Sequence, residues 1–102
     1  MSIDKQIETW KKDGKRPQMV EFDDDRVAYF QSPTRKQMKL ITSKIGNGGP
    51  VAMAESYIKV CYLGGDVTKE EILDENNTDY LNQMTATVDV LMKYKAATVK
   101  KL

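Results

Sequence analysis

The stretch Val60-Cys61-Tyr62-Leu63-Gly64-Gly65-Asp66, VCYLGGD, decides how this chain folds. It joins the sole cysteine to two bulky residues, a glycine pair and an acid. One reading makes it a site, with a thiol nucleophile beside a phosphate-cradling loop. The other makes it the buried last turn of a helix and its stop signal. A reactive cysteine needs a helix N-terminus, a cation or a base to favour the thiolate. Cys61 stands near the C-terminal end of a predicted helix, where the dipole opposes a thiolate, and no CxxC partner exists. Gly64-Gly65 follows a helix and lacks the GxxxxGK[ST] frame of a P-loop. The helix-end reading follows. Cys61 and Tyr62 or Leu63 pack inward, and Gly64 supplies the left-handed conformation that caps a helix. On that reading Gly64→Ala costs about 1 kcal/mol or more.

The helix that this stretch would end starts at Pro50, after the breaker Gly46-Asn47-Gly48-Gly49. Val51, Ala54, Ile58, Cys61 and Tyr62 keep helical spacing, and Ala52, Met53, Tyr57 and Val60 widen the apolar arc. It is therefore expected to be the most buried helix. The preceding one is predicted to start with Ser32 as cap and Pro33 at the first helical position. Its stripe is Met38, Ile41 and Ile45. Downstream, Thr68-Lys69-Glu70-Glu71 has the capping-box pattern over a short helix. A last helix is expected from about Thr78 to the end, with Leu81, Met84, Val88, Leu91, Met92 and Val99 in one stripe.

Toward the start, residues 3–12 place Ile3, Ile7 and Trp10 on one helical face, and Gly14 is the expected stop. Two β-prone runs, 18–22 and 26–31, flank Asp23-Asp24-Asp25 and read as a hairpin. A lone hairpin is marginal, so it needs a covering helix or a third strand from a partner. The order of elements gives an α+β fold: a small, mostly helical domain with an N-terminal helix, a β-hairpin, then three to four helices including a long C-terminal one.

Composition narrows the function. The chain has 102 residues, which fits a single domain over 1–102. It has no histidine, which removes the commonest general base and zinc ligand, and with them any Ser-His-Asp or Cys-His arrangement. No paired catalytic site remains, so the chain reads as a non-enzyme with no cofactor and no metal. The acidic segment Asp74 to Asp79 lacks the central glycine and register of an EF-hand. A net charge of +1 gives no field for nucleic acid or an anionic membrane. No apolar run reaches the roughly 20 residues that span a bilayer. One cysteine and no leader-like start point to the cytosol. Residues 1–50 carry ten basic and seven acidic side chains, residues 51–102 six and eight. That polarity favours contact between copies, so a homo-oligomer is one expected state. Several apolar stripes on one small hairpin suggest surplus surface for partners. The candidate contact residues are Trp10, Tyr29, Phe30, Leu81, Met84, Val88, Leu91 and Met92.

With these pieces in order, the chain resembles short bacteriophage proteins of the tail-assembly-chaperone type. IETWKKDGK (Ile7 to Lys15) is similar to the opening helix and its glycine stop. VAYFQSPTRKQMKLITSK (Val27 to Lys44) is similar to the strand and the basic, proline-started helix. GPVAMAESYIKVCYLGGD (Gly49 to Asp66) is the nearest match, and ATVKKL (Ala97 to Leu102) is similar to the lysine-rich close. Ser32 stands where members often carry a basic residue, and Tyr62 where they often carry tryptophan. The resemblance implies a non-enzymatic assembly protein in the host cytoplasm, binding a phage tail or tape-measure protein. It also leaves open a structural component that stays in the virion, at a head or tail joint. A small inhibitor of a host protein is a further reading.

Overall fold

The VCYLGGD stretch does not end a helix on a glycine. Helix α3 (Gly49–Cys61) passes without a loop into strand β3 (Tyr62–Gly65). Its cap residue is Tyr62, already extended at φ −62° and ψ 133°, and its N–H still bonds to the Ile58 carbonyl. Gly64 is not in the left-handed region, so the expected Gly64 cap is corrected. The left-handed glycine of the pair is Gly65, at φ 131°. The competing pull is tertiary: β3 pairs antiparallel with β2 (Val27–Gln31), whose other side pairs with β1 (Pro17–Glu21). The third strand that the hairpin needs thus comes from the same chain.

The computed structural model of the chain describes residues 3–43, 48–92, 97, 100 and 101. Around the three-stranded sheet, ordered β1-β2-β3, lie α1 (Ile3–Lys12), α2 (Arg35–Ser43), α3, α4 (Lys69–Ile72) and α5 (Asp79–Met92). This is the expected α+β class. Ala97, Lys100 and Lys101 are not helical, and the other residues expected to extend α5, Val99 among them, lie outside the described residues. So do Lys44, Ile45, Gly46 and Asn47.

Alternation along the hairpin sorts its side chains to two faces. Val20, Phe22, Ala28 and Phe30 turn inward and join Ile41, Tyr57, Ile58, Cys61, Ile72 and Met84 in one core. Phe30 packs between Tyr57 and Tyr62, with ring centroids 5.5 and 5.7 Å away. Tyr62 faces inward because β3 carries a bulge: Tyr29 opposes Gly64 and Phe30 opposes Tyr62, so Leu63 is the extra residue. The hairpin closes on Asp23-Asp24-Asp25, with Asp25 left-handed at φ 68° and the Phe22 N–H bonded to the Arg26 carbonyl.

Local signals set the helix ends. Gly14 (φ 83°) ends α1 in a Schellman motif: Gly14 N–H bonds to Lys11 C=O and Lys15 N–H to Trp10 C=O. Thr68 and Glu71 form the expected capping box of α4. The cap of α2 is Thr34, not Ser32. Thr34 Oγ1 accepts from the Gln37 N–H at 3.2 Å, and Gln37 Oε1 accepts from the Thr34 N–H at 2.9 Å. Ser32 instead extends the β1–β2 ladder, its N–H bonded to Arg16 C=O, and its hydroxyl accepts from Gln18.

Candidate functional site

Helix α1 lies on the face of the sheet opposite the core. Its anchor is Trp10, whose ring sits 5.7 Å from that of Tyr29 on β2. The ring also covers Gly64, where a Cβ would lie 3.5 Å from Trp10 Cζ2, an ordinary contact distance. A small residue on β3 therefore gives the indole a flat seat. Ile3, Ile7 and Trp10 share a face by helical spacing, as expected, but Trp10 alone of the three is buried.

Two open grooves flank α1 and share Tyr29 as floor. The larger, about 310 Å³, runs toward β3 and is lined by Ile3, Gln6, Val27, Tyr29, Gly65 and Asp66. The smaller, about 210 Å³, runs toward β1 between Ile7 and Lys11 on one side and Pro17 and Met19 on the other. Their apolar rims are open to solvent: Ile3 is 39% exposed and Met19 57%. The β3 side ends in an acid, Asp66. The β1 side carries a base, Lys11.

A polar latch fixes the end of the sheet beside the larger groove. The Arg26 guanidinium donates to both carboxylate oxygens of Glu71, at 2.9 and 3.2 Å, to Tyr80 Oη at 3.1 Å and to Asp66 C=O at 2.6 Å. Tyr80 in turn donates to Asp24. The acidic turn is further tied to α5, because Gln83 donates to Asp23 at 3.1 Å and accepts from its N–H at 2.9 Å. The bond from Arg26 holds the Glu71 carboxyl below its ordinary range, and the bond from Tyr80 does the same for Asp24. Asp23, Asp24 and Glu71 are thus spent on joining the hairpin to α4 and α5.

Cys61 is wholly buried, and burial pushes its thiol up to about 12. It is a core residue, as its place near a helix C-terminus suggests.

The eight candidate contact residues are used by the fold itself. Phe30 and Met84 are wholly buried, Trp10, Tyr29, Val88, Leu91 and Met92 nearly so, and Leu81 is half-buried against the core. The idea that these stripes are surplus is corrected. The sheet has two apolar faces, and α1 covers the second, so Trp10 and Tyr29 find each other. The stripe of α5 packs on the same core as Tyr57 and Ile58 of α3. Among the described residues the exposed large apolar side chains lie elsewhere, at Ile3, Met19, Leu40, Val51 and Val90. Met19 and Val27 could have been found from the hairpin's alternation, since both fall on the strand face opposite Phe30. Arg26 left no such trace, because its partners lie 40 to 54 positions away.

Among the described residues no helix is long and apolar enough to cross a membrane. No family model, curated protein or solved structure matches the chain.

Proposed function

We propose that this chain is a non-enzymatic phage assembly protein, akin to tail-assembly chaperones, that holds a segment of a tail or tape-measure protein. The single structural observation that supports the reading is the open groove between α1 and β3. It joins an exposed isoleucine, a half-buried valine and the edge of Tyr29 to a polar rim of Gln6 and Asp66. An apolar floor with a few polar rim groups is the ordinary make-up of a surface that holds a peptide segment. The sequence resemblance over Gly49 to Asp66 supplies the class of partner. The chemistry available elsewhere supports binding over catalysis: histidine is missing and the one thiol is buried with a raised pKa.

The test is capture from infected-cell lysate with the wild-type chain and with Ile3→Asp. The groove reading expects a tail or tape-measure protein on the wild type and at least a tenfold loss on Ile3→Asp, with the fold unchanged by circular dichroism. Recovery of capsid proteins alone, or equal recovery by both chains, overturns it.

A further inference from the structure

The outer edge of β1 has the make-up of a self-pairing strand. Phe22 N–H bonds to Arg26 C=O and Ser32 N–H to Arg16 C=O, so the even-numbered residues of β1 point their backbone groups at β2. Pro17, Met19 and Glu21 then point theirs away from the sheet, and among the described residues no strand pairs with that edge. Proline is tolerated there because the N–H it lacks would face outward. The side chain of Met19 is 57% exposed beside that edge. Charge is divided along the strand: Lys15 and Arg16 precede it, Glu21 ends it and Asp23 follows. Among the described residues Lys15, Arg16 and Glu21 form no salt bridge.

We infer that β1 pairs antiparallel with β1 of a second copy about a two-fold axis at Met19, joining two three-stranded sheets into one. Centring on Met19 follows from the edge itself. The two Met19 backbones exchange a pair of hydrogen bonds, and each Glu21 N–H bonds to the second copy's Pro17 C=O. In that register the missing proline N–H costs one bond per strand and leaves no buried donor unpaired. The basic lead of each strand falls against the acidic end of the other, so Lys15 lies within side-chain reach of the second copy's Glu21 and Asp23. A parallel pairing would set like charges together. The two Met19 side chains become direct cross-strand neighbours on the α1 side. Helix α1 leaves room for this: its indole anchor Trp10 sits over Tyr29 of β2 and Gly64 of β3, and Met19, though it shares a groove with Ile7 and Lys11, keeps its side chain 57% exposed. The two β2 strands stand three strand spacings apart, roughly 14 Å, which exceeds a helix diameter of roughly 10–12 Å. Each surface is its own complement, as a closed two-fold dimer requires. The larger groove on the β3 side remains open, so this pairing and partner binding there are separable.

Sedimentation of the purified full chain over a range of concentrations tests it. The expected mass rises from 11.6 kDa to twice that value. Met19→Pro removes only outward-facing backbone donors and should abolish the dimer without loss of secondary structure. Glu21→Lys and Lys15→Glu should each weaken the dimer about tenfold, and the two together should restore it. A monomer at every concentration overturns the inference, as does a dimer that Met19→Pro and both charge reversals leave unchanged. A monomer in which the Met19 and Glu21 amides are protected from exchange at all dilutions also overturns it, because the edge is then covered from within. If Met19→Pro fails to fold, the charge-reversal series still decides.

Discussion

At Gly65 the backbone stands at φ 131°, and a Cβ would lie 2.6 Å from Val27 O and 2.7 Å from Ala28 Cα. Both contacts are to backbone, so nothing can swing aside. An alanine there meets a conformation that L-residues rarely adopt and a collision with β2. The combined cost is about 3 kcal/mol, which lowers the melting temperature by roughly 15 °C in a domain of this size. Gly64 differs although it is the next residue. Its Cβ would meet Trp10 at 3.5 Å, an ordinary distance, without a left-handed φ. Gly64→Ala should change stability by less than about 1 kcal/mol. Thermal melts of the two variants check this. A larger loss for Gly64→Ala would put the helix cap back at Gly64.

The Arg26 latch acts between elements, since it joins the hairpin turn, the end of β3, α4 and α5. Its carboxylates set the sign of its pH dependence. The Glu71 carboxyl is held below its ordinary 4.5, chiefly by Arg26, and the Asp24 carboxyl below 3.8, chiefly by Tyr80. A depressed carboxylate stabilises the fold above its unfolded value, and that stabilisation is lost as pH falls through the folded value. Glu71→Gln keeps the capping box, which accepts glutamine, and removes the charge. The variant should be less stable than wild type at about pH 7, and the gap should narrow toward about pH 3. Urea unfolding at both pH values measures it. A gap that stays constant would mean that Arg26 does not hold Glu71 in its charged form.

Elements also show what the sequence could and could not tell. Helix α1, the hairpin and the capping box of α4 were legible because each carries its own local signal: a spacing, an acidic turn, or a Thr-x-x-Glu pattern. Strand β3 was not. Tyr62-Leu63-Gly64-Gly65 has no alternation, because the bulge at Leu63 breaks it, and two glycines after a helix look like a stop. What makes it a strand is the open edge of β2, a partner more than thirty positions upstream. The cap of α2 was misplaced for a related reason. Ser32-Pro33 is a good local start, but Ser32 is held by Arg16 and Gln18, and Thr34 with Gln37 makes the better cap.

On the scale of the whole molecule, the sheet lies between two layers, α1 on one face and the other helices on the opposite one. That arrangement absorbs the stripes that the sequence made look surplus. Of the apolar groups left exposed, Ile3 and Met19 line the two grooves beside α1 and the β1 edge, while Leu40, Val51 and Val90 lie on the helices of the other layer. The burial of the α5 stripe, Trp10 and Phe30 was therefore not legible in the sequence, whereas Tyr29 was named from it and Met19 and Val27 were within reach of the hairpin's alternation. The proposed association uses two separate parts of this arrangement, the groove between α1 and β3 for a partner segment and the β1 edge for a second copy. A chaperone-like assembly protein should leave before the particle is complete. Quantitative mass spectrometry of purified particles beside the infected-cell lysate tests this most directly. If the chain is an assembly factor, it is abundant in the lysate and depleted from particles. Many copies per particle would make it a structural component and contradict the assembly role.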